Sequence, residues 1–198
     1  MHDLVFESTR TVTPKEFGEF VATREAAGDT GHYELLNGRV VMSPPAGYPH
    51  GEVGSNVQRL LASFVWERKL GRVFDSSQGF ELPSGDIVEP DHVFVSHERW
   101  AAAPAPEPGR FLRVVPELIV EVMSGRTATR DRGEKKAIYE RNGVLEYWLV
   151  DPRAREVTVF HAVDGRFDSG CVYAVNDRLP SQVPAELTID VLDLMPLS

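Results

Sequence analysis

A single mixed α/β domain is the fold class this sequence predicts, and three observations carry it. Hydrophobic residues fill 42% and charged residues 26% of the 198 positions, a globular balance in a length that supports one sizeable core. Helical periodicity over residues 50–70 and 128–142 is interleaved with short apolar runs of strand character, the pattern of helices packed on a sheet. One such run, Leu118–Met123, is apolar except for Glu121, as a strand buried on both faces would be. No repeat or low-complexity segment breaks the chain. One domain over 1–198 is expected, with its core at about 13–160 and short strands and loops over 161–198.

The elements follow from local chemistry. Thr13-Pro14-Lys15-Glu16 reads as a capping box with proline in the first turn, opening a helix from Pro14 to Ala27 that Gly28 ends. Tyr33–Met42 reads as a hairpin turning at Asn37-Gly38, a pair suited to a type I′ turn. Pro44, Pro45 and Gly47 interrupt the chain. A helix over His50–Leu70 follows from Val53, Val57, Leu60, Leu61, Phe64 and Val65, with Gly71 as its stop. Strands are expected at Arg72–Asp75, Gly79–Leu82, His92–Ser96 and 118–123, with a Pro/Ala-rich loop at 101–110 between the last two. A helix over Ala128–Asn142, stopped by Gly143, leads to a hairpin of Glu146–Val150 and Glu156–His161.

Composition excludes several function classes. Thirty acidic residues against 21 basic ones give a net charge of −9, so bulk electrostatics will not hold nucleic acid, although a local basic patch is compatible with it. No apolar run approaches the roughly 20 residues a membrane span needs. The charged start predicts no secretory leader. A lone cysteine, Cys171, rules out an internal disulfide and fits a reduced, cytoplasmic setting.

Glu121 is the residue that asks for chemistry. Burying an unpaired carboxylate costs several kcal/mol, so it either stays protonated or has a cation beside it, a basic side chain or a metal ion. Asp91 opens an apolar strand directly after Pro90, either as a strand cap or as a second site acid. Glu34 opens the strand before Asn37-Gly38 and faces either solvent or the core. On the helix over 128–142, residues 131, 135, 138, 139 and 142 share the face marked as core by Ile138 and Tyr139. Lys135 is therefore turned inward and Lys136, about 100° round, outward. Lys135 either pairs with Asp131 or Glu121 or joins a site. Two carboxylates and a lysine around one point suit a hard divalent cation, Mg²⁺ or Mn²⁺, and phosphodiester hydrolysis. Glu34 would complete the shell or help hold a second metal.

The same residues carry a resemblance. Pro90-Asp91 followed by Ile119-Val120-Glu121-Val122 resembles the P-D…(D/E)-x-K core of the restriction-endonuclease-like superfamily. More closely, Tyr33–Gly38, Pro90-Asp91, Pro116–Ser124, Arg130–Lys135 and Glu146–Pro152 resemble, in order and spacing, the Uma-two-type endonucleases. The resemblance implies a central mixed sheet flanked by helices and a metal-dependent nuclease site. It matches Asp91 and Glu121 to metal-binding acids, Lys135 to a catalytic lysine supplied from the helix, and Glu34 to a further acid. It places His50 near the cleft, although an exposed helix N-terminus is the simpler expectation for that residue. Met123 stands where the superfamily usually has its lysine, Gly125 where the family commonly has proline, and His92 where an aliphatic residue is usual. His92 is a chance substitution, an extra polar contact or a minor metal ligand.

The leading expectation is thus an endonuclease acting on nucleic acid, DNA first. The alternative is a catalytically inactive module of the same fold that binds nucleic acid or a protein. A two-carboxylate glycosidase fits less well, since the lysine has no role there. Exposed strand edges, and the resemblance itself, make a homodimer plausible.

Overall fold

The computed structural model describes residues 6–29, 31–43, 45–125 and 127–196. The predicted break at Pro44 lies outside them. Two sheets form, and their placement follows from which faces of each strand are apolar. The smaller sheet is built from β1 (Phe6–Glu7), β2 (His32–Leu36), β3 (Arg39–Ser43), β5 (Phe80–Glu81) and β6 (Ile87–Val88), in the order β1-β3-β2-β6-β5, antiparallel throughout. The larger sheet uses β4 (Gly71–Asp75), β7 (His92–Ser96), β8 (Leu118–Val122), β9 (Glu146–Asp151), β10 (Glu156–Val163) and β11 (Arg166–Phe167), in the order β11-β10-β9-β8-β7-β4. A further strand, β12 (Cys171–Ala174), also pairs with β10. Only β8 and β9 run parallel among these pairs, which makes the sheet mixed. A small ribbon of β13 (Arg178–Pro180) and β14 (Thr188–Asp190) ends the chain with a 3₁₀ turn at Val191–Leu194.

The sheets pack face to face through Leu36, Val41 and Val88 on one side and Val93, Val95, Ile119, Tyr147 and Leu149 on the other. Helix α1 (Pro14–Ala26) covers the outer face of the small sheet, burying Phe17 against Tyr33, Leu35 and Val40. Helix α2 (His50–Arg68) covers the outer face of the large one through Val53, Val57, Leu61 and Val65. Strand alternation sorts each residue to its layer: Val93 and Val95 face the inter-sheet core, Phe94 faces α2. No helix among the described residues is long and apolar enough to cross a membrane.

The capping box is present, with Thr13 accepting from the Glu16 N–H while the Glu16 carboxylate accepts from the Thr13 N–H at 2.7 Å. Asn37 and Gly38 both take positive φ, 50° and 77°, in a two-residue turn between paired Leu36 and Arg39. Three details differ from expectation. Helix α2 ends at Arg68 with Lys69 in the left-handed conformation. Gly71 instead opens β4, where a Cβ would lie 2.1 Å from the Val95 carbonyl oxygen. Strand β6 and the short helix α3 (His97–Ala102) were too brief to show periodicity.

The third difference matters for function. The expected helix over 128–142 is a composite of α4 (Ala128–Arg130), a π-helical turn (Asp131–Lys135) and α5 (Lys136–Arg141). Within this crossover from β8 to β9, the Tyr147 hydroxyl donates to the Asp131 carbonyl at 3.1 Å. Asp131 and Lys135 stand at the two ends of the π-turn, and both are buried. Lys136 turns away from them as expected, yet it lies over the Phe160 ring, 3.8 Å from its centroid, rather than in open solvent.

Candidate active site

The ends of β2, β8 and β9, the start of α2 and the π-turn surround a cleft of about 1080 Å³. Glu34, Asp91, Glu121 and Lys135 all line it, together with Asp131, Glu89, His32 and His50. Strand period explains the convergence. Asp91, preceding β7, shares its side of the sheet with Val93 and Val95, and Glu121 shares that side with Ile119 and Met123. Glu34 falls on the Leu36 side of β2, toward the large sheet, and is 5% exposed, so the outward alternative does not hold.

Lys135 is the hub. Its ammonium lies 2.6 Å from Glu121 Oε1 and 3.0 Å from Glu34 Oε1. Glu121 Oε1 also accepts from the Tyr139 hydroxyl at 2.6 Å, and Glu34 Oε1 from the Glu89 N–H at 3.0 Å. Asp91 Oδ2 accepts from the Val122 N–H at 2.7 Å and lies 3.2 Å from His50 Nε2. Asp91 is thereby tied to the strand that carries Glu121.

Besides Glu89 and His32, the cleft sets Glu34, Asp91, Glu121 and Asp131 beside Lys135 and His50, and the titration of Asp91, Glu121 and Asp131 reflects the crowding. Burial pushes Glu121 up to about 8, against the pull of Lys135, because Asp91, Asp131 and Glu34 add repulsion. Burial likewise raises Asp131 to about 6. Burial raises Asp91 too, but the His50 hydrogen bond and charge, the Val122 N–H and Lys135 together hold it below the usual aspartate range. Burial opposes the Lys135 charge, yet Glu121, Glu34 and Asp131 keep it protonated, well above the ordinary lysine value. Its Asp91 hydrogen bond raises His50.

Two histidines resolve differently from their sequence readings. His50 belongs to the cleft rather than to an exposed helix end. It holds Asp91, so His50→Ala is expected to weaken divalent-cation binding by about 10–100-fold with little change in melting temperature. Calorimetric affinity for Mn²⁺ equal to that of wild type would refute this. His92, beside Asp91 in sequence, alternates to the opposite face, under α2. There its Nδ1 lies 3.0 Å from Gln58 Oε1, and its Nε2 approaches the Gly54 position, where a Cβ would sit 3.3 Å away. It is no metal ligand for this cleft. Sequence reading assigned no site role to Asp131 or Tyr139. Their signal was present, since both share the helical face of Lys135.

Three oxygen-donor acids from different elements, a buried ammonium and an opening to solvent can bind a cation and a phosphoryl group. Among the described residues no three His, Cys, Asp or Glu side chains already stand as a closed metal cage. The Lys135 ammonium instead occupies the point between Glu34 and Glu121. The donor set still fits a hard divalent ion: all its ligating atoms are carboxylate oxygens, and their negative charge exceeds what Lys135 and His50 offset.

A family model described as "Uma2: Putative restriction endonuclease" matches residues 17–191. A crystal structure described as "a putative nuclease belonging to DUF820", from Anabaena variabilis, superposes with a TM-score of 0.73 at 19% identity. The match covers 92% of this chain and 97% of that one. At that identity the likeness speaks for the fold alone. No curated protein matches.

Proposed function

The chain belongs to the Uma2 family, and on that premise we propose that it is a Mg²⁺- or Mn²⁺-dependent endonuclease hydrolysing DNA phosphodiesters. The observation that carries this reading is the convergence of Glu34, Asp91, Glu121 and Lys135, from four separate segments, on one solvent-open cleft. A fold needing only structural ion pairs gains nothing from four buried or half-buried acids around one lysine, because each costs desolvation.

Asp91 and Glu121 would hold the cation, with Glu34 supporting the shell. When bound, the ion would polarise a phosphoryl oxygen and acidify water. The chain's own groups have distinct tasks. Lys135 presents a fixed positive charge to the developing negative charge of the phosphorane-like transition state. Tyr139 holds the Glu121 carboxylate by its hydroxyl, and His50 with the Val122 N–H fixes Asp91. Glu34 keeps the Lys135 ammonium charged and in register with β2.

Calorimetric titration with Mn²⁺ and Mg²⁺, beside cleavage of plasmid and of single-stranded DNA by the same samples, tests the assignment. Wild type should bind and cut, and Asp91→Ala should do neither. Because Glu121 is pushed up to about 8, binding near pH 7 should release protons, seen as a buffer-dependent heat. Metal binding without cleavage of any nucleic acid would favour the inactive module. No binding by wild type would leave Glu121 as a structural ion-pair residue and end the proposal.

A further inference from the structure

Resting on the nuclease reading, we propose that the cleft takes an unpaired nucleic-acid strand, with a base stacked on Tyr48, rather than an intact duplex. Tyr48 lies in the connection from β3 to α2, lines the same cleft as Glu121 and Lys135, and is 80% exposed. It takes part in no ring contact among the described residues. Pro49 follows it directly and fixes its own backbone φ, with Gly47 on the other side. An aromatic face left in water in the lining of the cleft is a stacking platform for a base.

Recess and charge both argue against a duplex. Glu121 and Lys135 are each only 5% exposed, so a phosphate must descend to reach them. Duplex DNA is a stiff rod with a persistence length of about 50 nm, and it cannot fold a phosphate inward without deformation. A single strand can bend into a cleft of about 1080 Å³. Duplex affinity also comes chiefly from neutralising several phosphates at once. This chain carries −9 overall. The arginines of the cleft are Arg130 and Arg153, and Arg130 already faces Glu7 at 4.0 Å and Glu134 at 3.8 Å. Stacking supplies affinity without a basic surface, and it is tolerant of sequence.

The test is fluorescence anisotropy at low salt with labelled oligonucleotides of one sequence, single-stranded or as a blunt duplex. The full-length protein carries Glu121→Gln so that nothing is cut. Expected is at least tenfold tighter binding of the single strand. Adding Tyr48→Ala should weaken that binding about tenfold, and adding Tyr48→Phe should restore it. Equal or tighter binding of duplex overturns the proposal, as does Tyr48→Ala binding the single strand as well as its parent. Wild-type cleavage of duplex that ignores Tyr48→Ala would overturn this proposal and leave the nuclease standing. Failure to bind or cut either form would remove both.

Discussion

Glu121→Gln is expected to lower cleavage roughly a thousandfold, about 4 kcal/mol of barrier, while leaving the protein at least as stable as wild type. The amide keeps the shape and still accepts from Tyr139, and Lys135 retains Glu34 at 3.0 Å. What disappears is a carboxylate that burial and three like charges have pushed up to about 8. A purely structural ion pair predicts the reverse: removing one partner of a buried pair costs about 3–5 kcal/mol. Thermal melts, with cleavage of plasmid and of single-stranded DNA by the same preparation, separate the two. A fall in melting temperature with cleavage intact would show Glu121 to be scaffolding. A site that functions by concentrating negative charge is destabilised by that charge, and relieving it should sacrifice activity for stability.

Lys135→Met should be the most destabilising single change in the cleft. It leaves Glu34, Glu121 and Asp131 crowded without their cation, at a cost of about 3–5 kcal/mol. For a chain of this length that is a fall in melting temperature of roughly 6–20 °C. The sign with pH is fixed by the raised acids. A carboxyl whose folded pKa exceeds its unfolded one favours folding while protonated, and that stability is lost as pH climbs from the unfolded to the folded value. For Asp131 that window runs from 3.8 to about 6, and for Glu121 from 4.5 to about 8. Metal-free wild type should therefore lose stability from about pH 4.5 to 8, where the raised His50 acts in the same direction. The lowered His92 opposes it below 6.5 as a single group. In Lys135→Met the fall should be steeper, and millimolar Mn²⁺ at pH 8 should reverse part of it in both proteins. A Lys135→Met melt that matches wild type across this range would mean the ammonium is not what compensates these acids.

The parts of this fold that local chemistry dictates were legible in the sequence. The capping box, the Asn37-Gly38 turn and the apolar β8 are each specified within a few neighbouring residues. Strand β6 and helix α3 were not, since elements of two and six residues carry no period and exist because tertiary neighbours complete them. The π-turn was hidden for a related reason. Its widened geometry accompanies the Tyr147 hydroxyl reaching the Asp131 carbonyl from a different strand. The site divides the same way. Asp91, Glu121 and Lys135 were visible because charge in an apolar pattern is costly and so conspicuous. His50 was undervalued because its purpose is a contact with Asp91, 41 residues away. Asp131 was read only as an ion-pair partner of Lys135, although both share one helical face, because the cleft they line together is assembled from segments distant in sequence.

The last forty or so residues, silent in chemistry, have a bearing on how the chain may be cut or joined. Glu146 at the head of β9 is fully buried. Its Oε1 accepts from the Ser181 hydroxyl and the Trp148 indole N–H, and its Oε2 from the N–H groups of Gln182 and Val183. Three of those four donors come from the segment after β13. Without that segment the Glu146 carboxylate, at the edge of the parallel pair β8–β9, would keep only the Trp148 indole N–H of those four donors. Length can be added or removed in the exposed, proline-rich stretch 104–110, whereas Met195 is buried and its carbonyl accepts from Asn56 at 3.3 Å. A truncation before Ser181 reaches the same strand that anchors the crossover carrying Lys135.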